Sequence, residues 1–278
     1  MPELPEVETI ANDLRSAGVV GKTLTCAHVY WPRSIAAPSP PDFCRRMEKK
    51  TVASIGRRGK FLVFGFADGD SLLIHLRMSG RLHWVEAGSD RLPHEHVVLS
   101  FAEGSELRFH DTRKFGRLYL LPRAGAILDR LGPEPLEPAF LPANLATMMR
   151  GCRRMVKPLL LDQTFIAGLG NIYADEALWE AQIHPRRLSD SLSAAEVRAL
   201  HGAIRRVLRR GIKNLGTSLG TGKANFYSVG RRRGRNRDAL KVFRRTGEAC
   251  PRCAAKIKRI IVGQRSTHIC PHCQKQQG

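Results

Sequence analysis

The C-terminal segment reads CPRCAAKIKRIIVGQRSTHICPHC from Cys250 to Cys273. It contains two Cys-x2-Cys pairs separated by sixteen residues, a spacing typical of zinc sites in which each pair supplies two thiolates and the intervening chain forms a β-hairpin. The predicted ligands are Cys250, Cys253, Cys270 and Cys273. Because cysteine fills all four positions, none is left for a catalytic water, and the zinc is predicted to be structural. Two disulfides or four free thiols are the alternatives.

The whole chain is strongly basic. Its 278 residues include 46 lysines and arginines against 25 acids, a net charge of +21. Such a chain repels itself unless it meets a polyanion, so nucleic acid is the first expected partner and an anionic membrane surface the second. No stretch approaches the roughly 20 apolar residues of a membrane span. The acidic N-terminus differs from a signal peptide, and the seven cysteines fit a reducing compartment, so a cytoplasmic location is expected.

Hydrophobic spacing in the first half predicts one helix followed by strands. Residues 3–17 carry apolar side chains at helical intervals, and Gly18 follows where such a helix would end. Short β-rich runs separated by turn residues then favour a sandwich or a barrel. The five clearest runs are Phe61–Phe66, Ser71–Leu76, His96–Phe101, Glu106–His110 and Arg117–Leu121.

The second half is predicted to be helical and basic. Four prolines within residues 131–142 predict a stiff linker. Helices are predicted at Leu145–Met149, Lys157–Leu161 and Ile172–Ala181, and after a capping box formed by Ser193 and Glu196. Residues 205–245 carry 14 lysines and arginines with one acid, and their glycines predict a mobile loop rather than a packed element. The predicted domains are residues 1–130, a linker 131–143, a helical domain 144–243 and a zinc finger 244–278.

The N-terminus offers a nucleophile. The chain opens MPELPEVET, and removal of Met1 would leave Pro2 with a terminal secondary amine. Such amines have pKa values of about 7.7–8.0, so a useful fraction is unprotonated at neutral pH and can attack carbon to give an iminium. Glu3 beside it could shuttle protons. Taken alone, these prolines and acids more simply begin a helix.

The opening, taken with four further segments, resembles the formamidopyrimidine-DNA glycosylases. The segments follow in the family's order and read GKFL (59–62), HLRMSG (75–80), DTRKFG (111–116) and GLGNIY (168–173). Inside the zinc hairpin, residues 264–267 read QRST, as they do in the family. The resemblance therefore covers nearly the full length of the chain.

This resemblance implies a multidomain α+β fold: an N-terminal helix on a β-sandwich, a helix–two-turn–helix module and a zinc-finger hairpin. It implies a base-excision repair enzyme that flips a damaged nucleotide out of the duplex, because chemistry at C1′ is blocked inside the stack. The expected lesions are 8-oxoguanine and formamidopyrimidines, followed by strand cleavage through β- and δ-elimination. One structural zinc and no catalytic cofactor are implied. The expected partner is damaged double-stranded DNA, bound by a monomer.

The resemblance also implies roles for individual residues. The catalytic set would be Pro2, Glu3, Lys60 and Arg265, the last two on the DNA backbone. Other DNA contacts would come from His94, Lys157 and Asn171, while Met78, Arg113 and Phe115 would fill the void left by flipping. Glu6 and Lys223 would line the lesion pocket, and Glu176 would lie near the terminal amine.

Several alternatives remain open at this point. Considered singly, Met78 and Phe115 would more often be core residues, Asn171 could be a helix N-cap, and Lys60 could be a solvent-facing lysine at a strand edge. A relative that prefers oxidised pyrimidines usually has glycine where Leu4 stands. A non-catalytic zinc-ribbon DNA-binding protein would explain the charge and the cysteines, but not the N-terminal sequence. The stretch Gly220–Gly234 does not align with the family's lesion-covering loop.

Overall fold

The structure is a computed structural model that describes residues 2–220, 226–230 and 232–276. The chain divides into two compact units. The first comprises Met1–Asp129 together with Ile212–Arg237, and the second comprises Arg130–Gly211 together with Asp238–Gly278. The chain therefore passes between the units at three points, after Asp129, after Gly211 and after Arg237.

In its described residues, the first unit is a β-sandwich that carries three α-helices, α1 (Leu4–Ser16), α2 (Pro40–Met47) and α3 (Gly125–Leu128). Its strands are β1 (Leu24–Val29), β2 (Ile35–Ala37), β3 (Val52–Arg58), β4 (Phe61–Phe66), β5 (Ser71–His75), β6 (Arg81–Glu86), β7 (Glu95–Phe101), β8 (Ser105–His110) and β9 (Arg117–Leu121). One sheet has the order β1-β7-β8-β6, and the other has the order β2-β9-β5-β4-β3. The pair β2-β9 is parallel, and the other pairs are antiparallel.

A single hydrophobic core fills the space between these two sheets. Inward positions alternate along the strands, so Leu62 of β4 and Val97 of β7 reach the core from opposite sides. Helix α1 adds an apolar stripe that includes Val7 and Leu14. Packing along the whole stripe fixes the direction of α1, and with it the position of the residues that precede its first turn. The predicted fold class, an N-terminal helix on a sandwich, is confirmed.

As far as the structure describes it, the second unit contains four α-helices and a hairpin. The helices are α4 (Pro142–Arg150), α5 (Val156–Leu161), α6 (Asn171–Glu180) and α7 (Ala194–Lys213), whose last two residues belong to the first unit. Strands β10 (Lys258–Val262) and β11 (Arg265–Ile269) form the antiparallel hairpin between the cysteine pairs. The capping box before α7 is present, since Ser193 N–H donates to the Glu196 carboxylate at 2.7 Å and Glu196 N–H donates to Ser193 Oγ at 3.2 Å.

The basic segment 205–245 is not one unpacked loop. Helix α7 continues to Lys213, and beyond it Thr217 and Asn236 are buried while Val229 joins the hydrophobic core of the first unit. Several of the described residues between the arginines, among them Ser218, Ser228 and Gly234, are also buried, which the overall charge of the segment conceals. The expectation of a mobile loop is wrong for these parts, and Lys223 lies outside the described residues. No helix in the described ranges is both long and apolar enough to cross a bilayer.

Candidate active site and nucleic-acid interface

The chain start is held in place by hydrogen bonds at the beginning of α1. Pro2 and Glu3 are both buried, and Glu3 stands in extended conformation directly before the helix. Its N–H donates to Glu6 Oε2 at 2.9 Å, and its carbonyl accepts from Val7 N–H at 3.1 Å. The simpler expectation, that these prolines and acids begin a helix, is therefore correct. The same contacts give the residue at position 2 a defined position, as a nucleophile requires.

Glu6 connects α1 to the segment that follows α7. Its second carboxylate oxygen, Oε1, accepts the Thr217 N–H at 2.7 Å, and Asn236 Nδ2 donates to Thr217 Oγ1 at 3.0 Å. Only 1% of Glu6 is exposed. Its carboxylate accepts backbone N–H groups from two separate parts of the chain, at Glu3 and at Thr217. Because Glu6 also binds Glu3 N–H, this network joins the N-terminus to the base of the segment that contains Lys223.

Lys60 lies in the turn between β3 and β4, after Gly59 with φ 56°. It is buried, so the interpretation as a solvent-facing strand-edge lysine is wrong. Nearby, His75 stacks edge-on against Phe61 with ring centroids 4.7 Å apart, and its Nδ1 accepts Arg77 N–H at 3.1 Å. Burial first, then the charges of Arg77 and Lys60, lower the pKa of His75 to about 3. The ring is therefore neutral, with its proton on Nε2.

His75 is a further candidate residue that sequence reasoning did not single out. It lies within the quoted segment HLRMSG, at the last position of β5. A histidine that ends a buried strand immediately before an unusual loop is the signal that could have identified it.

Two loops of the first unit present large apolar side chains to solvent. Met78 is 44% exposed and Phe115 is 48% exposed, so the interpretation of both as core residues is wrong. Arg77 and Lys114, which directly precede them, have φ values of 53° and 60°, a left-handed conformation that is uncommon for residues other than glycine. The Arg113 guanidinium lies 4.9 Å from the Phe115 ring centroid. Strained backbone and exposed apolar tips are typical of loops shaped for a partner.

His94 lies directly before strand β7 and contacts the start of the loop that carries Arg113 and Phe115. It is exposed, with φ 69°, and its ring is perpendicular to that of His110 at a centroid distance of 5.9 Å. Its carbonyl accepts the Asp111 N–H at 2.9 Å, which links it to the residue that begins the loop of Arg113 and Phe115.

Lys157, predicted to contact DNA, is fully buried in the second unit. Its Nζ donates to Asp175 Oδ1 at 2.6 Å, to Thr267 Oγ1 at 2.7 Å and to the Ser266 carbonyl at 3.0 Å. With 0% of its side chain exposed, it presents no charge at the protein surface, and the expectation of a direct contact is corrected. A buried lysine must be paired, and here the pairing joins α5 to α6 and to β11.

Asn171 and Arg265 converge on the same hairpin. Asn171 is the first residue of α6, with Gly170 as the N-cap, so the N-cap interpretation of the asparagine is wrong. Its Nδ2 donates to the Ser266 carbonyl at 2.9 Å, the oxygen that Lys157 also binds. Arg265 begins β11 and is exposed. The buried Lys157 and the partly buried Asn171 therefore fix the strand from which this guanidinium projects.

Glu176 is held by hydrogen bonds to backbone N–H groups of the second unit. Its carboxylate accepts the N–H groups of Lys241, Val242 and Phe243 at 2.8–3.0 Å. Burial raises the pKa of Glu176, and these three N–H groups oppose the shift. The residue is thus the anchor of the chain segment that leads into the zinc finger.

The four cysteines form a metal site. Their ligand atoms all lie within 4.8 Å of one another, and the Sγ separations include 3.9 Å for Cys250–Cys273 and 3.4 Å for Cys253–Cys270. Four sulfurs at about 2.3 Å from a tetrahedral zinc stand about 3.8 Å apart, so this set fits the ion. Burial tends to raise the pKa of Cys250, but N–H donors, including Trp179 Nε1 at 3.4 Å, bring it to about 6. The cluster is therefore suited to bind one structural zinc.

Comparisons with known proteins agree along the chain. The description "Formamidopyrimidine-DNA glycosylase N-terminal domain" matches residues 1–118, the H2TH domain of the same glycosylase matches residues 131–222, and "Zinc finger found in FPG and IleRS" matches residues 247–276. The formamidopyrimidine-DNA glycosylase of Protochlamydia amoebophila is 43% identical over 276 residues, covering 99% of this chain and 100% of the relative. That of Moorella thermoacetica is 46% identical over 264 residues, covering 94% of each.

Solved structures give the same result. A Lactococcus lactis variant in complex with DNA containing Fapy-dG superimposes with a TM-score of 0.92 at 36% identity, covering 99% of this chain and 100% of that one. The Lactococcus lactis protein bound to DNA with an abasic site gives a TM-score of 0.90 at 35% identity, with the same coverage. Since the three domain types occur in order on the fold described above, the chain belongs to the formamidopyrimidine-DNA glycosylase family of base-excision repair enzymes.

Proposed function

We propose that the chain excises 8-oxoguanine and formamidopyrimidines from duplex DNA and then cleaves the abasic strand through the amine of mature Pro2. The observation that carries this proposal is the fixed chain start, where buried Pro2 and Glu3 precede α1 and the Glu3 N–H is bound to Glu6. A terminal amine held by a rigid helix suits attack on one defined carbon.

The proposed chemistry begins when the Pro2 nitrogen attacks C1′ and the glycosidic bond breaks, so that the base leaves with its electron pair and takes up a proton. Glu3 protonates the sugar ring oxygen, and the opened sugar is then bound to the enzyme as an iminium. Loss of the 3′ phosphate by β-elimination and of the 5′ phosphate by δ-elimination cuts both sides of the lesion. Hydrolysis of the iminium restores the amine.

The remaining residues are proposed to hold the DNA. Lys60 and Arg265 bind backbone phosphates, and Asn171 and His94 add contacts to the strand. Met78 and Phe115 occupy the space of the flipped nucleotide, while Arg113 reads the orphaned base. Lys157 acts indirectly by positioning the strand that bears Arg265. Glu6 and Lys223 are assigned to the lesion-binding region, with Glu6 joining that region to the chain start.

The preference for oxidised purines over oxidised pyrimidines is supported by Leu4 in the opening segment. Related structures were solved with DNA containing Fapy-dG and with DNA containing carbocyclic 8-oxo-G, in line with that preference. We place the enzyme in the cytoplasm, acting on chromosomal DNA as a monomer.

Trapping with borohydride tests the proposal, because an iminium is reducible. Wild-type protein whose intact mass shows that Met1 has been removed should form a covalent complex with abasic-site duplex DNA. A form with an N-terminal tag should form none. Glu3→Gln should still be trapped on preformed abasic DNA but should excise 8-oxoguanine poorly. Equal trapping by the tagged form would exclude Pro2 as the nucleophile.

A further inference from the structure

Asp111 is a buried carboxylate at the start of the loop that carries Arg113 and Phe115. None of its surface is exposed. Oδ1 accepts Arg113 N–H at 3.2 Å and Oδ2 accepts Gly116 N–H at 2.7 Å, so one side chain closes both ends of the loop. Its backbone carbonyl also accepts Lys114 N–H at 3.2 Å. The left-handed conformation of Lys114 is thus enclosed by hydrogen bonds to a single residue.

The same carboxylate reaches the other exposed loop. Ser79, the residue after Met78, donates its hydroxyl to Asp111 Oδ1 at 2.5 Å, and Ser79 Oγ in turn accepts Arg113 N–H at 3.2 Å. Ser79 is itself buried. The loop that carries Met78 and the loop that carries Phe115 are therefore cross-linked below their exposed tips.

A third segment is tied to the same residue. The Asp111 N–H donates to the His94 carbonyl at 2.9 Å, and His96 Nε2 lies 2.9 Å from the Asp111 carbonyl. Glycines close the two loops: a Cβ at Gly80 would overlap the Leu76 carbonyl, and one at Gly116 would overlap the Phe109 ring. The three segments therefore have little freedom to move independently.

We propose that Asp111, through Ser79, is a positioning residue that makes the loops of Met78 and Phe115 a single rigid wedge, and that this coupling drives insertion into the duplex. The inference rests on the proposed function. An apolar wedge must keep its shape while it unstacks a base step, which costs a few kcal/mol. Loops that moved separately would lose part of that energy to their own rearrangement.

The charge and geometry of Asp111 suit this role better than an amide would. A carboxylate offers acceptors on both oxygens, and three donors converge on them here. Asparagine has the same shape but would direct an NH2 group at either the Gly116 N–H or the pair formed by Ser79 and Arg113. Such a buried unsatisfied donor costs about 1–3 kcal/mol, which is about 5- to 150-fold in an equilibrium between inserted and withdrawn loops.

The experiment compares Asp111→Asn and Ser79→Ala with the wild type on two substrates. One is a duplex with 8-oxoguanine opposite cytosine and a 2-aminopurine next to the lesion, whose fluorescence reports unstacking. The other is single-stranded DNA with a preformed abasic site, which needs no wedge. Asp70→Asn is the matched control, because Asp70 is a hydrogen-bonded acid of the same sandwich that binds Lys50 and Arg46.

We expect Asp111→Asn to slow duplex excision by about 5- to 150-fold and to reduce the fluorescence step, with single-stranded cleavage unchanged. Ser79→Ala should excise the lesion from the duplex about fivefold more slowly, because it loses one hydrogen bond. This variant tests the inference if Asp111→Asn does not fold. Asp70→Asn should match the wild type on both substrates. Unchanged fluorescence in the loop variants, or equal losses on both substrates, would overturn the inference. Wild-type protein that leaves abasic DNA intact would instead refute the proposed function.

Discussion

Replacing Lys157 with methionine separates a positioning lysine from a DNA-binding one. Lys157→Met keeps the length of the side chain but leaves Asp175, itself fully buried, without its cation. Removing one partner of a buried pair costs about 3–5 kcal/mol. Because Asp175 Oδ2 retains the His268 N–H at 2.8 Å, we expect the lower end, about 3 kcal/mol, in the stability of the second unit.

The assay measures unfolding by urea together with DNA affinity at several salt concentrations. A lysine that neutralises a phosphate contributes about −0.9 to the slope of log K against log salt. Lys157→Met should leave that slope unchanged while lowering the unfolding midpoint, and Arg265→Met, the exposed control, should do the reverse. Adding Asp175→Asn should recover part of the stability. A slope shallower by about 0.9 with an unchanged midpoint would refute our assignment of Lys157 to the interior.

Three further predictions concern the metal, acidity and loop shape. The wild type should contain one zinc per chain by metal analysis. Cys253→Ser should lose this zinc and bind DNA more weakly, and full zinc retention would contradict the ligand assignment. Burial first, then neighbouring cations, hold the pKa of His110 at about 4 against 6.5 in the unfolded chain. As pH falls, the unfolded state therefore binds a proton before the folded state does, and the free energy of unfolding should decline below about pH 6.5. This decline should be shallower in His110→Gln. Identical urea midpoints for the wild type and His110→Gln at every pH would refute the prediction. Gly80→Ala should impair duplex excision because its Cβ meets the Leu76 carbonyl, whereas Gly56→Ala, which meets no atom within 4 Å, should not; equal activities would disprove the clash.

Strands with a strong hydrophobic pattern are predicted more accurately from the sequence than strands with a weak one. Strands β4 and β9 begin and end where the sequence places them, because their apolar residues form short continuous runs bounded by turn residues. Strand β6, with sequence RLHWVE, was missed because Leu82 is its only buried side chain. Its place in the sheet is determined by backbone pairing with β8, which local sequence does not reveal.

The site contains residues that the sequence identifies and others whose surroundings only the folded structure reveals. Residue type and spacing identified the four cysteines, since coordination needs only ligand identity and reach. The family resemblance does not distinguish a lysine at the surface from one inside, so it implies a DNA contact for Lys157 although Asp175 and Thr267 enclose that side chain. Nor did the sequence reveal the part played by Asp111, because a carboxylate that binds backbone N–H groups leaves no periodic trace.

The three crossings between the units bear on how the protein is made. Val229 belongs to the core of the first unit, and Glu6 receives a hydrogen bond from Thr217, yet both partners are encoded after most of the second unit. During synthesis from the N-terminus, the sandwich therefore emerges from the ribosome long before its last core residue does. The chain start, although translated first, acquires its full set of contacts near the end of translation. A fragment that ends in the helical region would have an incomplete sandwich and would lack the hydrogen bond between Glu6 and Thr217.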